Sequence, residues 1–164
     1  MNLLFRPVSK SIYLSGINVL QACSVSTGQK AANIKKTAVV SKALPAPVAP
    51  YSHGIKANGM LFISGQLGVN PETKALVNDK LEDQTKQALQ NLKIVVTEAG
   101  GNVGNIVKTT LLLVDIKDFK AVNEIYAQFF KENAANSPLP ARACFAVKDL
   151  PLGAKVEIEA IAVE

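Results

Sequence analysis

Three charged side chains lie in the two most apolar stretches near the end of the chain. Arg142 lies within LPARACFAV, and Glu157 and Glu159 lie within KVEIEA. A guanidinium presents a planar fork of N–H donors that suits a carboxylate ligand, and a half-buried carboxylate can accept a proton from water. The three residues could therefore form a site for a small anionic metabolite. They could also form a structural ion pair, which is the commoner use of such groups.

The faces of the two predicted strands bear on this choice. Alternate residues of a strand share a face, so Arg142 lies on the same face as Cys144, and Glu157 lies on the same face as Glu159. The length of the connecting loop does not fix the register, so the arginine and the glutamates could share a face or lie on opposite faces. The residues next to Arg142 are small or apolar and cannot neutralise it, which favours the ligand site.

The other reactive residue types do not suggest a second site. One histidine, His53, and two cysteines, Cys23 and Cys144, lack the paired spacing of a transition-metal site. The GGNVG stretch lacks the Lys-Ser/Thr of a phosphate-binding loop, and no serine lies in a nucleophile-elbow context. Cys144 is more often a small buried hydrophobe than a reactive thiol. We therefore predict neither a metal ion nor a cofactor.

Local signals define the elements that must position these residues. Asn58-Gly59 separates two β-capable runs and predicts a type I′ hairpin, because both central positions favour positive φ. Helical spacing predicts a first helix that Asp79 caps and Gly100-Gly101 ends. A second helix is predicted to begin after Asp118.

The order of the elements predicts an α+β domain. An apolar strand is predicted over residues 105–116, between the two helices, and the strands that carry Arg142 and Glu157 come last. Two amphipathic helices can cover only one face of this mixed sheet. Because the chain offers no further helix, we expect copies of the chain to cover the other face.

The N-terminal part of the chain differs in charge from the rest. Residues 1–71 contain seven Lys or Arg and no acid, whereas the remainder carries eleven basic and thirteen acidic residues. The net charge of +5 thus comes from the N-terminal part of the chain, which we call the leader. The remaining domain is nearly neutral and lacks the basic face of a nucleic-acid-binding protein. No apolar run approaches the ~20 residues of a membrane span, so we predict neither a nucleic-acid nor a membrane partner.

An acid-free N-terminus with scattered serines and a broken apolar run is typical of an organellar transit peptide. We predict a disordered transit peptide and linker over residues 1–44 and one domain over residues 45–164. The predicted location is the mitochondrial matrix, with the plastid or the cytoplasm as alternatives.

The motifs of the domain resemble one family along its whole length. The similarity to the imine-deaminase A subgroup of the reactive intermediate deaminases lies, in order, in APYSHGI, FISGQLGVNP, QALQNLK, IVKTTLLLVDIKDF, VNEIYAQFF and PARACFAV followed by KVEIEAIAV. The resemblance implies a chorismate-mutase-like α+β fold with two helices on one face of the sheet, and a homotrimer with ligand clefts between subunits. It also implies hydrolysis of enamines and imines, such as 2-aminoacrylate, to 2-oxo acids and ammonia without a cofactor.

The resemblance implies roles for individual residues. Arg142 would grip the substrate carboxylate beside the backbone of Cys144, and Glu157 would orient or activate water. The other implied pocket residues are Tyr51, Ser64, Gly65 and Asn123. Two departures lie beside the expected cleft: His53 stands where glutamine is common, and the approach to Arg142 is longer than usual. Both bear on substrate preference.

Two other functions would use the same chain differently. A sensor of 2-oxo acids would use Arg142 for binding without turnover. RNA cleavage or translational inhibition, which is also associated with relatives, would depend on phosphate contacts that a nearly neutral domain disfavours. Within the deaminase hypothesis, Glu159 shares the face of Glu157 and is the rival for its role.

Overall fold

The chain folds into a six-stranded mixed sheet with two helices, as the predicted α+β class requires. The computed structural model describes residues 34–47 and 49–164. In chain order the elements are β1 (Thr37–Val39), β2 (Gly54–Ala57), β3 (Met60–Leu67), α1 (Leu81–Glu98), β4 (Ile106–Leu113), α2 (Phe119–Asn133), β5 (Ala141–Ala146) and β6 (Val156–Val163). None of the helices in these residues is both long and apolar enough to cross a bilayer.

The strands are ordered β1-β2-β3-β6-β4-β5 across the sheet. Every neighbouring pair is antiparallel except β4 and β5, which are parallel. Parallel neighbours need a crossover connection, and α2 provides it. The last strand of the chain, β6, therefore lies near the middle of the sheet, and β5 forms one edge.

The predicted hairpin turn and the predicted end of α1 are both confirmed. Asn58 and Gly59 have φ values of 52° and 72°, as a type I′ turn requires, and they join Ala57 to its partner Met60. At the end of α1, Gly100 has a φ of 88°. The Gly100 and Gly101 N–H groups donate to carbonyls of the last helical turn, which is a Schellman motif.

The start of α1 differs from the prediction. Lys80, and not Asp79, occupies the N-cap position, and no side chain caps the helix. Asn78 Oδ1 accepts a hydrogen bond from the Lys80 N–H at 2.8 Å, and the Asn78 amide donates to Asp83. Asn78 thus forms the local turn that a capping aspartate would otherwise provide.

The domain begins earlier than the predicted boundary at residue 45. Strand β1 pairs with β2 from Thr37, opposite Lys56, to Val39, opposite Gly54. Val39, Ser41 and Leu44 are buried. Residues 37–44 are therefore part of the folded unit, and their assignment to a disordered linker is wrong. The rest of the predicted transit peptide, residues 1–33, lies outside the described residues.

One face of the sheet is buried under the helices and the other is open. The helix-covered face and α1 together form the core, whose fully buried members include Leu89, Leu92, Leu111, Leu113, Val156 and Ile158. The open face leaves Phe62, Phe145 and Val163 exposed at 44%, 55% and 42% of their surface. Large exposed apolar side chains on one sheet face indicate an interaction surface. Coverage by copies of the chain stays a prediction.

Candidate active site

The strand register shows which faces the three charged residues occupy. Arg142 on β5 lies beside Thr109 on β4, which in turn pairs with Ala160 on β6. Thr109 and Ala160 are buried, so Arg142 lies on the helix-covered face. Glu157 and Glu159 alternate with the buried residues of β6 and lie on the open face. Within one chain, the arginine and the glutamates therefore lie on opposite faces.

The distance along the sheet adds to this separation. Arg142 is level with Ala160, which is three residues from Glu157 and two strand spacings from β5. Standard strand dimensions then place the Cα atoms of Arg142 and Glu157 roughly 14 Å apart. The predicted site residues consequently form two clusters. We call Arg142, Cys144 and Asn123 the arginine cluster, to which the structure adds the rings of Phe119 and Tyr126. The glutamate cluster is Glu157 with Gly65 and Ser64, together with Tyr51, which directly precedes the Ser52 that bonds Ser64.

Two aromatic rings of α2 hold the guanidinium of Arg142. Its Cζ lies 4.9 Å from the ring centroid of Tyr126 and 5.5 Å from that of Phe119. Both distances are within the range of cation–π attraction. The Tyr126 hydroxyl is 2.8 Å from Oγ1 of the buried Thr109, which fixes the ring from behind. No carboxylate of the described residues comes within 4.0 Å of Arg142, so its N–H groups remain available to an anionic ligand.

Asn123 and Cys144 complete the arginine cluster. Asn123 lies one turn after Phe119 on α2, and its buried Oδ1 has no hydrogen-bond partner among the described residues. Cys144 shares the face of Arg142 on β5. Burial raises the pKa of the Cys144 thiol, and the charge of Arg142 opposes this only in part. The thiol therefore stays protonated at neutral pH, which agrees with a packing role and not with a nucleophile.

A bulge in β3 builds the glutamate cluster. The pairing of β3 with β6 is irregular between Ile63 and Gln66, which leaves Ser64 and Gly65 outside the regular ladder. The Ser64 hydroxyl donates to the Ser52 carbonyl at 2.7 Å. A Cβ at position 65 would overlap the carboxylate of Glu157, so glycine alone lets this side chain lie against the bulge.

The environment of Glu157 makes its carboxylate a better proton acceptor. Burial raises the pKa of Glu157 above its ordinary value of 4.5, and the negative charge of Glu159 raises it further. A carboxylate with a raised pKa is suited to general-base catalysis near neutral pH. Glu159 also contributes to the lining of a cavity of about 260 Å³ on the open face, together with Phe62 and Lys108.

His53, which the sequence placed beside the expected cleft, is buried in the structure. It is only 4% exposed, and both ring nitrogens contact the backbone of the N-terminal segment. Nδ1 accepts from the Ser41 N–H at 3.3 Å, and Nε2 lies 2.9 Å from the Pro45 carbonyl oxygen. Any effect of His53 on a ligand is therefore indirect.

The sequence reasoning missed the aromatic pair around Arg142. Apolar residues at the spacing of Phe119 and Tyr126 are typical of the core side of a helix, and Tyr126 is indeed buried. Their spacing of seven residues places them on the same side of a helix, which was the available signal. Which strand these two rings contact depends on how α2 crosses from β4 to β5, and the sequence does not show this. Elsewhere in the described residues, no three His, Cys, Asp or Glu side chains are grouped so that they could hold a metal ion.

Comparison with known proteins identifies the family. Residues 41–164 match the family model described as Endoribonuclease L-PSP. Reactive Intermediate Deaminase A, chloroplastic, from Arabidopsis thaliana is 42% identical over 159 residues, which cover 97% of this chain and 77% of that protein. The 2-iminobutanoate/2-iminopropanoate deaminase of Homo sapiens is 42% identical over 131 residues, 80% of this chain and 91% of that one.

Solved structures agree with the sequence comparison. The crystal structure of E. coli TdcF with bound serine matches with a TM-score of 0.74 and 38% identity, over 78% of this chain and 98% of TdcF. The predicted fold is therefore confirmed: an α+β domain of the reactive intermediate deaminase type, with a mixed sheet and two helices. The chain belongs to the endoribonuclease L-PSP family, the family that includes the reactive intermediate deaminases.

Proposed function

We propose that the protein is a 2-iminobutanoate/2-iminopropanoate deaminase, which hydrolyses 2-imino acids and their enamine tautomers to 2-oxo acids and ammonia. The observation that carries the proposal is the state of Arg142. Its guanidinium is held by two aromatic rings and faces no carboxylate of the described residues, so it can bind the carboxylate of a small acid. The names of the Arabidopsis and human relatives support the same chemistry.

The reaction needs few protein groups. Arg142 binds the substrate carboxylate, and Glu157 accepts a proton from water while the water oxygen bonds to the imine carbon. The imine nitrogen takes up that proton, which gives a carbinolamine. The C–N bond then breaks, the hydroxyl proton moves to the departing nitrogen, and the 2-oxo acid and ammonia are released. No cofactor enters this balance.

The site is proposed to be shared between two copies of the chain. In a 2-imino acid the imine carbon is bonded directly to the carboxylate carbon, so the arginine and the water-positioning acid must both lie close to one small molecule. In one chain, Arg142 and Glu157 lie on opposite faces of the sheet. The arginine cluster of one copy therefore faces the glutamate cluster of another, and the homotrimer predicted from the sequence provides such an arrangement. The exposed apolar side chains of the open face supply part of the association surface.

The test is a coupled assay in which a serine or threonine dehydratase generates the enamine and pyruvate or 2-oxobutanoate release is followed. We expect the wild-type protein to accelerate release and Arg142→Ala to lose this acceleration. Lys131→Ala, which removes an exposed charge elsewhere on α2, is the matched control and keeps wild-type activity. An Arg142→Ala protein with wild-type activity would disprove the assignment.

Two binding measurements beside this assay separate the two rival functions. Saturable binding of 2-oxobutanoate without any turnover would identify a sensor. Tight, salt-dependent binding of single-stranded RNA would indicate the RNA-directed function. The burial of His53, the one histidine of the sequence, argues against a histidine-based RNA cleavage.

Targeting to the mitochondrial matrix, with the plastid as the alternative, remains part of the proposal. The acid-free leader supports import into an organelle, and the chloroplastic name of the Arabidopsis relative supports the plastid alternative. Residues 1–44 fused to a fluorescent protein would show which organelle, if any, imports the chain. A diffuse cytoplasmic signal would contradict both organellar assignments.

A further inference from the structure

We propose that His53 is a positioning residue of the active site, which fixes Tyr51 and the backbone around Ser64 by anchoring the N-terminal segment. This inference rests on the proposed function, in which Tyr51 and Ser64 line the cleft. It concerns a side chain that contacts no substrate.

The imidazole of His53 joins two segments of backbone. Nδ1 accepts the Ser41 N–H at 3.3 Å, and Nε2 lies 2.9 Å from the Pro45 carbonyl oxygen. A carbonyl can only accept, so Nε2 carries the proton and the ring is held in one tautomer. Ser41 and Leu44 in this segment are buried, and the Ser41 hydroxyl accepts the Ala43 N–H at 3.1 Å. The ring therefore ties residues 41–45 to the start of β2.

The backbone of His53 meets the glutamate cluster. The His53 carbonyl accepts the Ser64 N–H at 3.0 Å, and the neighbouring Ser52 carbonyl accepts the Ser64 hydroxyl at 2.7 Å. Tyr51 precedes these two residues, and its side chain is 47% exposed. Its N–H donates to Ala49, within the segment that leads into it. One residue thus connects the anchored N-terminal segment to the bulge that carries Ser64 and Gly65.

The consequence for catalysis follows from these contacts. Without the ring, β1 still pairs with β2, but residues 41–45 lose their side-chain attachment to the start of β2, and the exposed Tyr51 that follows them loses a constraint on its position. Small displacements of a pocket residue reduce catalysis even when the reacting groups are intact. A glutamine can supply both a donor and an acceptor, whereas a leucine fills the space and supplies neither.

The experiment compares His53→Leu and His53→Gln in two backgrounds, wild type and Tyr51→Ala. We expect His53→Leu to lower kcat/KM by about tenfold in the wild-type background and to have no further effect in the Tyr51→Ala background, because the proposed effect of His53 acts through Tyr51 and coupled residues are not additive. His53→Gln should stay within about twofold of wild type. Thr85→Val removes a buried hydrogen bond to the Leu81 carbonyl within α1 and should lower the Tm without changing kcat/KM.

Hydrogen exchange at the Tyr51 amide gives a readout that needs no turnover. His53→Leu should accelerate it and Thr85→Val should not, even if the proposed reaction were wrong. If the leucine variant is insoluble, His53→Asn, whose shorter side chain cannot span both contacts, should show the same direction. Equal effects of His53→Leu in both backgrounds, or unchanged exchange at Tyr51, would overturn the proposal.

Discussion

Mixing two inactive variants should restore activity if the site is built by two copies of the chain. Arg142→Ala removes the carboxylate-binding group and leaves Glu157 intact, whereas Glu157→Gln does the reverse. Because the two residues lie on opposite faces of one sheet, a contact between an Arg142→Ala copy and a Glu157→Gln copy can combine the surviving groups. Random association of equal amounts leaves both groups intact at about a quarter of such contacts.

The activity restored by mixing should be large compared with the residual activity of each variant alone. Loss of a hydrogen bond to a charged group costs about 1.5–3 kcal/mol, which corresponds to a fall of roughly 10- to 150-fold. Each variant alone should therefore retain less than about a tenth of wild-type kcat/KM. About a quarter is expected for the unselected mixture, and about a third for homotrimers selected to contain both variants, because one of their three interfaces holds both intact groups. The measurement is the dehydratase-coupled assay on mixed oligomers, co-expressed with two different tags and purified over both.

A second mixture provides the control. Wild type combined with an equal amount of the Arg142→Ala, Glu157→Gln double variant should give about a quarter of full activity for a shared site and about a half for a site within one chain. The shared site would be refuted if doubly tagged oligomers of the two single variants showed no more activity than each variant alone.

Three further changes test the clusters separately. Gly65→Ala should lower kcat at least about tenfold with little change in 2-oxo acid binding measured by calorimetry, because the new methyl group displaces the Glu157 carboxylate; an unchanged kcat would contradict this. Tyr126→Leu removes a cation–π contact worth about 0.5–2 kcal/mol and should raise KM about 2- to 30-fold with little effect on kcat, whereas an unaltered KM would mean that the ring does not position Arg142. Glu159→Gln should move the acid limb of the kcat/KM profile to lower pH, because removing a neighbouring negative charge lowers the pKa of Glu157 and the ionised form is the active one. A shift to higher pH, or no shift, would show that Glu159 does not influence the active carboxylate.

The raised pKa of Glu157 also makes the free energy of unfolding depend on pH. The folded state holds the proton of Glu157 more tightly than the unfolded state, whose pKa is near 4.5. The stabilisation from protonated Glu157 is therefore complete below that pH and is lost as the pH rises through the folded pKa.

Features with a local cause could be predicted from the sequence. Asn58, Gly59 and, after α1, Gly100 adopt positive φ, which few other residues tolerate, so their positions fix the ends of elements. The Asp79 cap was predicted wrongly, although it is also local, because Asn78 offered a competing hydrogen bond. Strand β1 was missed because three residues at a sheet edge leave no alternating pattern.

The relation between Arg142 and Glu157 could not be predicted. It depends on the order of β5, β4 and β6 across the sheet and on their register, and both are set by contacts between distant parts of the chain. The aromatic partners of Arg142 depend on how α2 crosses from β4 to β5. Residue types and motif order could identify the candidate residues, whereas their spatial grouping required the three-dimensional structure.

The opposite placement of the two charges has a physical advantage for a site that binds an anion. A guanidinium beside a carboxylate of its own chain would form an ion pair, and a ligand would have to displace that acid before binding. Aromatic rings hold the Arg142 guanidinium without neutralising its charge. Burial and the neighbouring charge of Glu159 meanwhile raise the pKa of Glu157, and no cation of the described residues lies within ion-pair distance of it. The proposed site brings the two together only when copies associate, so the substrate's own carboxylate lies between a free cation and a basic carboxylate. Activity should therefore depend on protein concentration wherever the assembly dissociates.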